Sequence, residues 1–425
     1  MLDINIIRKR MASASAGLKK RNIENADELL NKLVALDDTR KRVQTILDEK
    51  LARMNALSKQ IGELFKSGKR DEAENLRQES VDLKEEVNQL QDEQLSVLQN
   101  LEEDLLQIPN IPHESVPSGK TPEDNEVVRR WGEFPVLASD NELPHWDLAK
   151  KFEIFDLELG VKLTGAGFPV YTGKGAQLQR GLINFFLSQA TNAGYKEVIP
   201  PLLVNEASAR ATGQLPDKEG QMYEMKEDPY FLIPTAEVPI TNMYRGELVE
   251  EKDLPIRLTG YTPCFRREAG SYGAHVRGLN RLHQFDKIEI VQIAHPDKSY
   301  EVLEEMVAHV ESLVQALELP YRVLRLCGGD LGFTSTLTYD IEVYSAAQKR
   351  WLEVSSISNF ETYQTNRLKL RYKDADGNRK LANTLNGSAL ALPRILAALI
   401  ENNQEPDGIR MPKAIQPFVG FDKLN

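Results

Sequence analysis

Stepping alternately four and three residues from Leu29 meets Leu33, Leu36, Arg40, Val43, Leu47, Lys50, Met54, Leu57, Ile61 and Leu64, so nine of eleven positions are apolar and no proline intervenes. A seam of that period, held over more than four heptads, predicts a coiled coil. It breaks at Lys66-Ser67-Gly68-Lys69, then resumes less strictly through Leu76, Leu83, Val87, Leu90, Val97, Leu101 and Ile108. The pattern predicts two antiparallel helices of about 38 residues, a hairpin over about 27–108 that reaches roughly 55–60 Å at 1.5 Å per residue. Pro109, Pro112 and Pro117 follow and mark a domain boundary, separating residues 1–110 from 111–425. Beyond it, helical stretches at about 174–192 and 299–318 alternate with short apolar strands at 197–199, 230–233, 288–293, 321–326 and 339–344. The spacing lacks a repeated βαβ rhythm, so the expected class is α+β with a central antiparallel sheet flanked by helices.

Composition narrows the picture. A chain of 425 residues exceeds one typical domain. No apolar run approaches the roughly 20 residues that span a membrane, and the start, MLDINIIRKRM, lacks the apolar core of a secretory signal. Two cysteines, Cys264 and Cys327, form no disulfide framework, and the six histidines show no zinc-ligand spacing; a reduced cytoplasm fits. The net charge of −11 excludes a protein that coats nucleic acid indiscriminately. It allows an enzyme with a local positive track, because phosphate contact is local. Arg40, Lys41, Arg42, Lys50, Arg53, Lys59 and Lys66 on the first arm helix, with Lys69 and Arg70 at its tip, could supply that track. A solvated face or a dimerisation rod is the plainer reading of the same helices.

The most informative stretch is Thr262–Val291. It opens on Cys264-Phe265-Arg266-Arg267-Glu268, passes through a basic segment with Gly270, Gly273, His275, Arg277, Gly278 and Arg281, and closes on the strand-like His283-Gln284-Phe285-Asp286-Lys287-Ile288-Glu289-Ile290. Two strands joined by a long loop, with arginines at their ends, can grip a nucleotide triphosphate, since arginine binds phosphate bidentately. Three further segments carry polar chemistry. Thr235-Ala236-Glu237 follows the strand ending at Ile233 and could bind a small zwitterion, although Thr-x-Glu is also a common helix start. Glu353 and Ser356, in Glu353-Val354-Ser355-Ser356, are the hard oxygen ligands that suit Mg²⁺ on phosphates. Asn386-Gly387-Ser388 leads through Pro393-Arg394 into an apolar helix. By contrast, Gly165-Ala166-Gly167 and Gly173-Lys174 lack phosphate-loop spacing and read as turns.

In this order, and joined to the helical arm, these segments resemble the signature motifs of class II aminoacyl-tRNA synthetases, and in detail the bacterial-type seryl-tRNA synthetase family. The strand Lys196–Ile199 with Pro200-Pro201 is similar to the first motif, which implies a homodimer interface. The second motif implies that Arg266 binds the α-phosphate and the substrate carboxylate and that Glu268 meets the adenine or ribose edge. It also implies that Arg281 reaches the terminal phosphates and Phe285 stacks on adenine, with Arg267 and Val276 beside the ATP. Arg266, Glu268 and Arg394 are the implied catalytic residues. The serine pocket would comprise Thr235, Ala236, Glu237, Arg266, Glu289, Asn386 and Ser388, with the serine hydroxyl read by either Glu237 or Glu289. Glu353, Val354, Ser355, Ser356 and Arg394 would complete the ATP site, with Arg394 on the γ-phosphate or stacked on adenine and Glu353 and Ser356 holding Mg²⁺. The third motif departs from the class pattern, because Ala389, Ala391 and Pro393 stand where glycines are common.

The resemblance implies ATP-dependent activation of L-serine and transfer to the 3′-terminal adenosine of tRNA(Ser), and also of tRNA(Sec) where one exists. The arm would clasp the long variable arm of the tRNA. Two rivals are a paralogue that activates a small amino acid for a carrier protein and a non-catalytic RNA-binding homologue. The first should lack the arm or show broken motifs, and the second should lose Arg266, Arg281, Glu353 or Arg394; arm, motifs and residues are all present.

Overall fold

The computed structural model describes residues 1–137, 142–268 and 276–425. The chain divides into two compact units: Leu2–Lys19 with Ile23–Pro109, and Asn110–Asn425 with Met1 and Lys20–Asn22.

The first unit is dominated by α1 (Ala26–Lys66) and α2 (Arg70–Gln107), packed along their length as the heptad pattern predicts. Leu33, Val43, Leu47 and Leu57 of the seam are buried, facing a stripe that includes Leu83, Val87 and Leu101. The reversal uses Gly68 at φ +78°, a backbone conformation that costs glycine nothing. One seam neighbour is charged. Asp37 is buried and receives Arg8 at 2.8 Å, Arg40 at 2.7 Å and Lys41 at 2.9 Å. Burial works to raise its pKa, but the three cations prevail and hold the carboxyl below its usual range. Much of the basic stripe is matched across the hairpin: Lys32 pairs with Asp104, Arg42 with Glu93, Lys50 with Glu86 and Arg53 with Glu79. Among the described residues, Lys59, Lys66 and Arg70 make no ion pair.

The second unit is built on a sheet that, among the described residues, has eight strands: β1 (Glu126–Trp131), β2 (Lys196–Glu197), β3 (Ile256–Phe265), β4 (Gln284–Ala294), β5 (Tyr321–Arg325), β6 (Leu337–Ser345), β7 (Arg350–Glu361) and β8 (Asn383–Ala391). Their order is β1-β5-β6-β7-β8-β4-β3-β2. Every pairing is antiparallel except that of the short edge strand β2, which runs parallel to β3. The sheet is therefore mixed, departing from a purely antiparallel expectation at one edge only. Three helices cover one face: α3 (Gly173–Asn192), and, after the short α4 (Glu237–Asn242), α5 (Ser299–Ala316) and α6 (Leu392–Asn402). Ile288, Ile290, Ile357 and Leu385 point into that core beside Leu182, Phe186, Val307 and Leu396. Because side chains alternate across a strand, the intervening residues of β4 and β8 face the other way and build the site. No helix among the described residues is long and apolar enough to cross a membrane.

Candidate active site

The open face of the sheet carries a cavity of about 610 Å³. Phe285 and Lys287 of β4 line its floor. Arg266, just past the end of β3, lays its guanidinium over the Phe285 ring at 5.3 Å and donates from Nε to the Pro234 carbonyl at 3.4 Å. Cation and aromatic face thus form one slot, suited to a flat base beside a phosphate. The sequence pattern places Glu268 on the same strand face as Arg266, but β3 ends at Phe265 and Glu268 adopts φ +46°. Its backbone N–H donates to Gln221 Oε1 at 3.1 Å, and its carboxylate takes Arg281 Nη1 at 3.0 Å. It still lines the cavity, brought there by a turn, not by strand parity. Arg267 is exposed, anchored through its N–H to Gln221 O, and does not line the cavity; nor does Val276, which is half-buried. Gly270, Gly273 and His275 lie outside the described residues.

At one end the wall is Thr235, Glu237, Asn386 and Ser388. The Thr235 hydroxyl uses its full capacity. It donates to Glu289 Oε2 at 2.9 Å and accepts from Lys287 Nζ at 2.9 Å and from the Glu237 N–H at 3.2 Å. That last bond lies at the start of α4, which is the helix-start reading of Thr-x-Glu. Glu289 shares the strand parity of Phe285 and Lys287 yet is fully buried, shut behind Lys287 Nζ at 2.5 Å and Asn386 Nδ2 at 3.3 Å. Glu237 accepts from Gln364 Nε2 at 2.6 Å, and Thr384 in turn donates to Gln364 at 2.7 Å. Burial, and next the negative charge of Glu289, push the Glu237 carboxyl up to about 7. Ala236 packs into an apolar cluster with Ile240, Leu258 and Val291 and does not line the cavity.

The other end is built by β7 and α6. A spacing of three puts Glu353 and Ser356 on opposite faces of a regular strand. The register slips here: Ser355 pairs with Ile341 and Glu353 with Glu342, leaving Val354 as the extra residue of a bulge. Glu353 and Ser356 therefore both reach the cavity, while Leu352 and Val354 remain in the core. Val354 and Ser355 also line the wall, and the Ser355 hydroxyl donates to the Ser388 carbonyl at 2.6 Å. Arg394, on the first turn of α6, donates to the Glu353 carbonyl at 2.8 Å and approaches its carboxylate at 3.4 Å. Opposite Ser356 on β6 lies Asp340, whose Oδ1 has no hydrogen-bond donor. Burial, then the charge of Glu353, push the Asp340 carboxyl well above the usual range. In the cavity itself Glu353 and Ser356 offer one carboxylate and one hydroxyl, hard oxygens of the kind that suit a divalent cation on phosphates.

The cavity also uses residues that the motif reading passed over. Lys287 is the chief one, a nearly buried cation between Thr235 and Glu289; its place in an alternating strand was visible, its inward direction was not. Ser358, Asn280 and Arg367 line the wall as well. Gln364, which orients Glu237, had no signal in its neighbourhood.

Comparison with known proteins agrees with this geometry. Residues 1–112 match the model of the seryl-tRNA synthetase N-terminal domain, and residues 221–403 match that of the tRNA synthetase class II core domain (G, H, P, S and T). A serine-tRNA ligase of Salinibacter ruber is 49% identical over 426 residues, covering 100% of this chain and 99% of that one. One from Prosthecochloris aestuarii is 45% identical, again over 100% of this chain and 99% of the relative. Among solved structures, a seryl-tRNA synthetase from Pyrococcus horikoshii complexed with ATP superposes with a TM-score of 0.92 at 31% identity, covering 100% of this chain and 99% of the other.

Proposed function

The chain belongs to the seryl-tRNA synthetase family, and from that premise we propose how its residues divide the work. It is a class II aminoacyl-tRNA synthetase, a ligase that activates serine with ATP and charges tRNA. A carrier-protein acceptor is not favoured, because relatives of the same full length, arm included, are serine-tRNA ligases.

The observation that carries the site assignment is the convergence of Arg266, Arg281 and Arg394 on a single cavity that ends in Thr235 and Glu237. ATP enters with its base against Phe285 and its edge toward Glu268. Serine sits at the far end, its ammonium toward Glu237 and the Glu289–Lys287 pair, with Asn386 and Ser388 closing the pocket. Ala236 packs behind the pocket, and Arg267 and Val276 stand outside the cavity lining. The serine carboxylate attacks the α-phosphate in line and pyrophosphate leaves; the tRNA ribose hydroxyl then attacks the acyl carbon of the seryl-adenylate, giving up its proton and releasing AMP. Little proton transfer is needed in the first step, so positioning and charge neutralisation by the three arginines supply most of the acceleration. Glu353 and Ser356 would hold Mg²⁺, which when bound neutralises phosphate charge. A buried carboxylate that must hydrogen-bond the serine hydroxyl discriminates against alanine, which would leave it unpaired.

Residues 1–110 take the tRNA and residues 111–425 perform the chemistry. The arm reads the long variable arm of tRNA(Ser), and of tRNA(Sec) where one exists, by shape. Assembly as a homodimer is supported by the apolar surface beside Pro200-Pro201: Ile199 is 89% exposed, Leu202 37% and Leu203 41%. Cytoplasmic placement is supported by two buried free thiols.

Serine-dependent ATP–pyrophosphate exchange without tRNA tests the core of this reading, with alanine, threonine, glycine and cysteine as competitors. Exchange confined to serine, and lowered on the order of a hundredfold in Arg266→Ala, is the expected result. Exchange with alanine at a comparable rate, or an indifferent Arg266→Ala, would overturn the assignment.

A further inference from the structure

His145 and Glu401 are both fully buried and stand outside the cavity, yet they sit at the centre of a connected polar network. The Glu401 carboxylate accepts from the His145 backbone N–H at 2.8 Å, from His145 Nδ1 at 2.6 Å, from Gln348 Nε2 at 2.9 Å and from the Ser345 hydroxyl. The other ring nitrogen, His145 Nε2, accepts from the Leu279 backbone N–H at 2.8 Å. A backbone N–H can only donate, so Nε2 bears no proton and Nδ1 carries the one given to Glu401. The tautomer is fixed by the network.

What the network holds is the return of the long loop between β3 and β4. Leu279 is pinned through its N–H. Gly278, at φ +71°, passes so close that a Cβ there would lie 2.1 Å from His145 Nε2. Arg277 lies over the Trp146 ring at 4.7 Å. The next residue, Asn280, donates from its side chain to Gln348 Oε1 at 3.0 Å, and its carbonyl takes Arg394 Nε at 3.1 Å. Arg281 follows directly. Arg394 and Glu401 are seven residues apart on α6, two turns along one face. The network therefore closes a circuit. One helix presents Arg394 to the cavity and, two turns later, Glu401 to the histidine that sets where Arg281 emerges.

We propose that His145 and Glu401 are positioning residues for ATP: through Leu279, Gly278 and Asn280 they fix the spacing between Arg281 and Arg394. The proposal rests on the assignment of those two arginines to ATP. Neither His145 nor Glu401 touches the serine end of the cavity, so their loss acts on one substrate only.

The test is serine-dependent pyrophosphate exchange on the full chain, with KM for ATP and for serine measured separately. His145→Ala raises KM for ATP on the order of tenfold, since a displacement of about 1 Å in a binding group is felt at that scale or more, and leaves KM for serine within about twofold. Gly278→Ala gives the same ATP-selective defect from the opposite side of the contact. Adding Gly278→Ala to His145→Ala costs less than Gly278→Ala does alone, because the imidazole that it would strike is gone and only the strain of a Cβ at φ +71° remains. Arg394→Ala separates the two levels of the argument. If it leaves KM for ATP unchanged, the ATP assignment itself fails. If it raises KM for ATP while folded His145→Ala and Gly278→Ala do not, the assignment stands and the positioning role is wrong. Parallel rises in both KM values, in step with a lowered melting temperature, would also overturn the positioning role.

Discussion

Glu237 holds its proton to about pH 7 because burial disfavours the charge and Glu289 is nearby. The folded pKa of this acid lies above its unfolded value, so the native state keeps a proton that the unfolded chain releases. Stability is therefore lost as pH rises from about 4.5 toward about 7. Serine reverses the preference, since its ammonium favours the carboxylate. Serine binding should release a proton below about pH 7, and KM for serine should fall as pH rises through that value. Calorimetry in buffers of different ionisation enthalpy measures the proton count; an unchanged profile in Glu237→Gln would exclude Glu237 as its source. Lys287 poses the opposite problem. It is the cation on fully buried Glu289, so Lys287→Met leaves a buried charge without its partner and should cost about 3 kcal/mol in urea unfolding. Lys287→Met with Glu289→Gln should recover most of that loss. The alternation of Phe285, Lys287 and Glu289 was legible in the sequence, and so was the chemistry of Arg266. That a lysine would turn inward was not, because it needs Thr235, 52 positions away, beside Glu289 of its own strand.

At the level of elements, the hairpin was legible because a heptad seam is local and needs no knowledge of the rest of the chain. Which cations it leaves free was hidden: Lys50 meets Glu86 and Arg53 meets Glu79 only once the register of two helices is set. The bulge at Val354 was hidden for a different reason. Nothing in Glu353-Val354-Ser355-Ser356 breaks strand regularity, and only the family resemblance placed Glu353 and Ser356 in one site. Glu268 was assigned to the cavity for the wrong local reason, since a left-handed turn replaces the strand it was read on. The hairpin is a separable element with its own core, which sets a sharp expectation. Replacing residues 30–105 by a short Gly/Ser link should leave pyrophosphate exchange within about twofold and lower tRNA charging by more than about a hundredfold. Equal loss of both in a folded protein would refute the division of labour.

Across the whole molecule, contacts distant in sequence decide the site. His145 and Glu401 are separated by 256 positions, and no local pattern in either neighbourhood announces the other. Charge shows the same dependence on the assembled structure. The chain carries a net −11, and the arm already neutralises Arg42, Lys50 and Arg53 with its own glutamates, while among the described residues Lys59, Lys66 and Arg70 make no ion pair. The arm thus offers few unpaired cations to phosphate, and few of the ions condensed on an RNA would be released there. Binding affinity plotted against salt on logarithmic axes should lose a slope of about 3 when Lys59, Lys66 and Arg70 become glutamine, and much less when Arg42, Lys50 and Arg53 do. The larger effect in the second set would show that those ion pairs open on binding. If the arm takes the tRNA as proposed, a grip with so little electrostatic reach would hold generic RNA poorly and release a charged product readily. Its discrimination would then come from the shape of the complex, and turnover would not wait on the dissociation of a tightly held polyanion.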